Sequence, residues 1–200
     1  MRIASYIISA LFHPILMPTL GLLLIFQTET HISNIPYQFK QIILIIVILT
    51  TVILPVSILP FLRQIKVIKS FRMESARERF IPLLITAVFY FFGYMLIKKI
   101  PIPAILDYFF LATLIGVLLA SIISFFWKIS IHLMGLGGVT GALVAVSLVY
   151  SVDLFPLITL TMSASALTAM ARLFLGEHNP KQVYSGFLCG FLIVVGVILT

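Results

Sequence analysis

Acidic residues, cysteine and charge of either sign are all scarce in this chain. Asp and Glu together number only six in 200 residues, and they form no paired cluster that could build a magnesium or two-metal cage. The single cysteine, Cys189, has no partner for an internal disulfide. Charged residues make up 10% of the chain and hydrophobic residues 62%, with a mean hydropathy of +1.22. This composition excludes a soluble globular domain and indicates a protein that crosses a membrane several times.

Apolar segments follow one another along almost the whole chain. A helix needs roughly 20 residues to cross about 30 Å of hydrocarbon. Seven segments are candidates for such a span, and the last of them is marginal in length. The segments lie near residues 3–27, 40–62, 80–98, 104–127, 132–150, 155–174 and 183–200. They predict an all-α fold, a polytopic transmembrane helical bundle of six or seven spans. Because the connections are short, we expect residues 1–200 to form a single domain.

The net charge of +7 would suggest nucleic acid as the partner of a soluble protein. Here almost all basic residues fall in loops that flank the spans, so we expect membrane lipids or a phosphorylated lipid substrate as partners, and no nucleic acid. A short chain that is nearly all span also favours the bacterial inner (cytoplasmic) membrane.

The number of crossings predicts which loops share a face of the membrane. The N-terminus, the loop at 63–79 and the breaks at 128–131 and 175–182 fall on one face, which carries ten Lys and Arg residues against three on the other. Four of the ten are candidates for binding an anion: Arg72, Arg79, Lys128 and Arg172. If these four are left out, the crowded face still has six Lys and Arg residues against three. The charge count favours a cytoplasmic position for the crowded face, and both sides of the membrane stay open.

Three polar clusters lie on this crowded face. The first contains Arg72 and Arg79, just before the third span. It is open to two interpretations: a solvated juxtamembrane helix in which Glu74 and Glu78 pair with Arg77, or part of an anion site.

The second cluster is Lys128, Ser130 and His132, at the start of the fifth span. Ser130 is suited to cap this helix, which would place His132 in the first turn, where free backbone N–H groups favour an anion. The alternative is an interfacial histidine that bonds a nearby carbonyl. Gly137 and Gly141, farther along, are expected to serve close helix packing.

The third cluster lies between the sixth and seventh spans. Asn179 and Pro180 are typical of an N-cap and a first helical position, which would place His178 at the mouth of the last helix. Arg172 lies one or two turns back along the sixth span. Ionisable groups in a membrane are costly and usually functional, so three such clusters on one face predict a site.

In these clusters the chain resembles the type 2 phosphatidic acid phosphatase superfamily of membrane lipid phosphatases. The third motif of that family, Ser-Arg, five residues, His, three residues, Asp, corresponds here to Ala171-Arg172, five residues, His178, three residues, Gln182. The second motif, Pro-Ser-Gly-His, corresponds to residues 129–132. The first, Lys, six residues, Arg-Pro, corresponds to Arg72, six residues, Arg79, with proline displaced to position 82.

The resemblance implies a metal-independent hydrolysis of a lipid phosphate monoester or pyrophosphate, without a cofactor. It makes His178 the nucleophile that forms a phosphohistidine and His132 the general acid. Gln182 would orient His178 in place of the family's aspartate, without supplying its charge. The phosphoryl group would be bound by Arg72, Arg79, Lys128, Ser130 and Arg172.

Two other interpretations stay open at this point. The replacements at Ala171 and Gln182 would also suit a protein that binds or moves lipid phosphates without turnover. A structural bundle, whose charged loops serve only as topological anchors, predicts instead that Arg172, His132 and His178 lie far apart.

Overall fold

A computed structural model gives the arrangement of the spans; it describes residues 2–71, 73 and 75–200, without the side chains of Ala76 and Arg77. All regular structure in these residues is helical. The α-helices are α1 (Arg2–Leu11), α2 (Met17–Phe26), α3 (Tyr37–Val47), α4 (Leu54–Gln64), α5 (Ala76–Ile97), α6 (Ala104–Phe126), α7 (Ile131–Tyr150), α8 (Phe155–Phe174) and α9 (Pro180–Leu199).

Seven helical segments in the described residues are long and apolar enough to cross a membrane. The last five are single helices, α5 to α9. The first, Arg2–Phe26, consists of α1, a short 3₁₀ turn and α2, and the second, Tyr37–Gln64, joins α3 to α4 through a π-helical stretch. The predicted all-α polytopic bundle is thus confirmed, and the chain is an integral membrane protein.

The first span is broken where the sequence predicts one continuous segment. Pro14 has no N–H to donate and its ring crowds the carbonyl of Ala10, which favours a break in the helix, and α1 ends at Leu11. The N–H of His13 donates to Ala10 O instead of to Ser9 O, the acceptor that a regular α-helix would use. The Ser9 carbonyl is therefore left to accept from another part of the molecule.

Helix α7 lies at the centre of the bundle, and 67% of its span window is buried, against 39% or less for the other spans. Its glycines let α9 approach closely: a methyl group at Gly137 would overlap the Phe187 carbonyl oxygen, and one at Gly141 would lie 2.7 Å from that of Phe191. The expected packing role of these two glycines is confirmed.

The contact between α7 and α9 also joins two of the polar breaks. The Ser130 N–H donates to Gln182 O over 3.2 Å, so the helix start at Ile131 lies beside the helix start at Pro180. The breaks before α7 and α9 therefore share one face of the bundle, as the number of crossings predicts.

Candidate functional site

A cavity of about 450 Å³ opens between the spans on the side of these breaks. Its wall combines residues from all seven spans. The polar and ionisable side chains that line it include Tyr6, His13, Arg79, His132, Arg172 and Glu177. The three sequence clusters thus contribute to a single cavity, together with residues of the first span.

The rest of the cavity wall is largely apolar. Along α5 the lining residues run from Arg79 to Tyr90, which lie about 16 Å apart along the helix axis. Facing them are Phe109, Gly116 and Val194 from α6 and α9. The cavity therefore joins a charged end near the membrane face to an apolar body that extends into the bundle.

Arg79 reaches this charged end from the first turn of α5. The Ser75 side chain caps that helix by accepting from the Glu78 N–H. The Arg79 side chain is only 8% exposed, and its Nε donates to Met73 O over 2.9 Å. The predicted partner Arg72 lies outside the described residues.

Arg172 lies in the last turn of α8, and the chain folds back immediately after it. Gly176 adopts a left-handed conformation, with φ of +68°, and the Glu177 N–H donates to Arg172 O, which is the usual glycine-terminated helix end. The Glu177 carboxylate thereby lies 3.7 Å from Arg172 Nη2 and 3.9 Å from Lys128 Nζ. Arg172 Nε is buried and has no hydrogen-bond partner among the described residues.

His178 is buried at the start of α9, where its Nδ1 lies 3.1 Å from Gln182 Oε1. The same oxygen accepts from the Asn179 N–H, and Asn179 Oδ1 accepts from the Gln182 N–H, completing a capping box. Because the Asn179 N–H can only donate, the atom of the Gln182 side-chain amide that it contacts must be the oxygen. The same oxygen therefore faces the His178 imidazole. The proton of neutral His178 is therefore on Nδ1, and Nε2 carries the lone pair.

The surroundings of His178 favour its neutral form. Burial lowers its pKa from 6.5 to about 4; the hydrogen bond to Gln182 opposes this shift, and the positive charges of Arg79, Arg172 and Lys128 add to it. At neutral pH the imidazole is therefore uncharged, as a nucleophile must be.

This pKa predicts a pH dependence of stability. Between about pH 4 and 6.5 the ring is neutral in the folded protein and protonated in the unfolded chain. The stabilising effect of the neutral ring is complete above pH 6.5 and is lost as the pH falls toward 4. We expect the unfolding temperature in detergent to fall more between about pH 7 and 4.5 in the parent than in a His178→Gln variant. Equal decreases would contradict the pKa.

His132 lies in the first turn of α7, as predicted, and its Nε2 is 3.2 Å from Ser9 O, the carbonyl that the break in the first span leaves unused. Because a carbonyl only accepts, Nε2 carries the proton and donates it. His132 and Arg172 both line the cavity, and the hydrogen bond from the Ser130 N–H to Gln182 O places the break that carries His178 beside the start of α7. The separation expected for a merely structural bundle is therefore not observed.

Not every predicted residue reaches the cavity. Ser130 is the N-cap residue of α7, but its side chain does not cap the helix; its hydroxyl is fully buried and has no partner among the described residues. The described cavity wall includes neither Ser130, Lys128 nor His178. Within the described residues, no three His, Cys, Asp or Glu side chains form a group that could bind a metal ion.

His13 was not predicted to be a site residue, but it lines the cavity. The His13 ring meets that of His132 edge-on, with 5.4 Å between centroids. His31 also has an unforeseen ring contact, with Tyr150 on the opposite face. A signal for His13 was present: Ser5, Ser9 and His13 recur every four residues, so they form a polar stripe on one helical face.

The charged end of the cavity combines two guanidinium groups with the His132 imidazole, which is bound to a carbonyl. The neutral His178 imidazole, with its defined lone pair, lies at the adjoining break before α9. Such a set can bind a tetrahedral anion and transfer a phosphoryl group. No family model, curated protein or solved structure matches this chain.

Proposed function

We propose that this protein is a membrane phosphatase that hydrolyses a lipid phosphate monoester or pyrophosphate through a phosphohistidine at His178. The observation that carries the proposal is the meeting of three distant stretches of sequence at one cavity, which is cationic at one end and apolar below. A lipid phosphate has the same division of polarity. The resemblance to the type 2 phosphatidic acid phosphatases and a location in the bacterial inner membrane belong to this proposal.

Electrostatics favour an anion at the charged end. Arg79 and Arg172 carry two positive charges there, Lys128 adds a third outside the described wall, and the carboxylate that lies near Arg172 and Lys128 is that of Glu177. Its distances of 3.7 and 3.9 Å from Arg172 and Lys128 are long for ion pairs, since charge-assisted hydrogen bonds are about 2.7–2.9 Å long. A phosphoryl group can replace this carboxylate with shorter, bidentate contacts, and it then lies beside His178.

In the proposed reaction, the Nε2 lone pair of His178 attacks phosphorus while the bond from phosphorus to the lipid oxygen breaks. Gln182 holds the Nδ1 proton and so keeps Nε2 available, although it does not neutralise the charge that develops on the ring. Water then cleaves the N–P bond and releases inorganic phosphate.

His132 moves the proton in this scheme. Its Nε2–H is bound to Ser9 O, so Nδ1 is the nitrogen that can take up and release a proton. A phosphate monoanion brings one proton on a phosphoryl oxygen. Nδ1 accepts this proton and delivers it to the departing lipid oxygen, so the products are a neutral alcohol and the phosphohistidine. No other acid or base is needed for this step.

The proposal is tested by phosphate release from purified protein in detergent. The substrates to compare are phosphatidic acid, phosphatidylglycerol phosphate and a polyprenyl pyrophosphate. Release from at least one of them by the parent supports the proposal. Release from none of them would contradict it.

Replacing Arg172 with alanine is expected to lower kcat/KM by about 100-fold or more, since it removes a partly buried phosphate ligand. Arg172→Lys is expected to restore little, because an ammonium group cannot make a bidentate contact. Lys181→Ala is the control: it removes one exposed cation of the same face, and we expect less than about a threefold change. Equal losses in Arg172→Ala and Lys181→Ala would show that only overall charge matters.

Two observations favour a second function, binding of lipid phosphates without turnover. His178 lies outside the described cavity wall, and Gln182 carries no charge to stabilise a phosphorylated imidazole. This alternative predicts that the parent binds phosphatidic acid in nanodiscs, that Arg172→Ala abolishes the binding, and that no phosphate is released.

A further inference from the structure

We propose that His13 is a third imidazole of the site and that it donates a hydrogen bond to the bound phosphoryl group. The inference rests on the proposed function, because it assigns His13 to the same ligand.

The break in the first span brings His13 to the cavity. His13 follows α1 with an extended backbone, φ −65° and ψ 135°, immediately before the 3₁₀ turn that begins at Pro14. An unbroken helix would carry its ring along the helix surface. Here the ring is exposed and lines the cavity together with Arg79, His132 and Arg172.

The hydrogen bonds of His13 determine which nitrogen carries its proton. The Ile15 N–H donates to Nδ1 over 3.4 Å, so Nδ1 holds a lone pair. The proton of the neutral ring is then on Nε2. His13 therefore has one N–H donor to offer a ligand.

His132 has the opposite arrangement. Its Nε2–H donates to Ser9 O, which leaves the Nδ1 lone pair as an acceptor. The two rings meet edge-on, at an interplanar angle of 77°, and both line the cavity. Together they offer one donor and one acceptor.

A phosphate monoester with a single acidic proton matches this pair. One phosphoryl oxygen accepts from His13 Nε2–H, and the protonated oxygen donates to His132 Nδ1. The same break in the first span positions His13 and frees the Ser9 carbonyl that fixes the tautomer of His132. The broken helix thus makes the two imidazoles complementary to the ligand.

The experiment measures binding of inorganic phosphate by calorimetry to protein in nanodiscs. His13→Phe keeps an aromatic ring but removes the donor, and we expect the Kd to rise about tenfold or more. His13→Gln retains an amide N–H and is expected to recover most of the affinity. His31→Phe, an exposed histidine on the opposite face, is the matched control and is expected to bind like the parent.

Unchanged phosphate affinity in His13→Phe would overturn the inference, as would an equal loss in His31→Phe. If His13→Phe does not fold, the parent protein with ¹⁵N-labelled histidine provides the test. Phosphate is expected to shift the His13 Nε2–H resonance, and no shift at saturation would overturn the inference.

Arg172→Ala separates this inference from the proposed function. Loss of phosphate binding in Arg172→Ala, with binding retained in His13→Phe, rejects the role of His13 alone. Undiminished binding in Arg172→Ala rejects the phosphate site itself.

Discussion

Replacing His178 with alanine is expected to lower phosphate release by at least roughly 1,000-fold, because it removes the nucleophile and not merely a binding contact. The effect should appear in kcat, with lipid phosphate still able to bind through Arg79 and Arg172. It is measured as single-turnover release of phosphate by purified protein in detergent. Binding of phosphatidic acid, measured separately, is expected to change by less than about tenfold.

His31→Ala is the matched control for this experiment. It also removes one imidazole, but from an exposed turn on the opposite face, and it should release phosphate at the parent rate. A His178→Ala variant as fast as the parent would remove His178 from the mechanism.

Gly190→Ala is expected to be the most damaging small substitution in the bundle. The added methyl group would overlap the Met134 carbonyl oxygen, and the neighbouring atoms are backbone atoms that cannot turn aside. Overpacking of this kind costs about 1–3 kcal/mol. Because the overlap is with backbone atoms, we expect the upper part of this range, a fall of about 6–12 °C in the unfolding temperature in detergent. Phosphate release should also fall, because the contact between α7 and α9 positions His132, at the start of α7, relative to His178, just before α9.

Gly196→Ala provides the comparison within the same helix. No described heavy atom outside its own turn lies within 4 Å of a methyl group placed there, and alanine is a better helix former than glycine. We expect the unfolding temperature to stay within about 2 °C of the parent. A similar loss in both variants would mean that α9 does not tolerate alanine for reasons unrelated to its contact with α7.

The spans and several helix ends could be predicted from the sequence, because they depend on local signals. A run of apolar residues predicted the sixth span at 155–174, where the structure has Phe155–Phe174. The Asn179-Pro180 pair predicted the start of α9, where the structure has a capping box. These features rest on the cost of exposing backbone polar groups in a membrane and on the shape of proline.

The contacts that assemble the candidate site were harder to predict. His13 was missed because its role depends on a break at Pro14 and on a carbonyl that only the folded chain brings to His132. The Ser130 side chain was expected at the phosphate, but the close contact of Gly186 with the Ser130 carbonyl buries that residue between α7 and α9. Glu177 is held between Arg172 and Lys128 by the left-handed turn at Gly176, a tertiary arrangement that its position in the sequence does not specify.

The most direct test of the proposed chemistry is to look for the covalent intermediate. The parent is incubated briefly with a lipid phosphate labelled with ³²P, quenched in alkali and digested, and the label is located by mass spectrometry. Phosphoryl transfer to the imidazole predicts an acid-labile label on His178, absent from His178→Ala and retained in His31→Ala. A parent that releases phosphate while the trapped label lies on another residue, or on none, would contradict it.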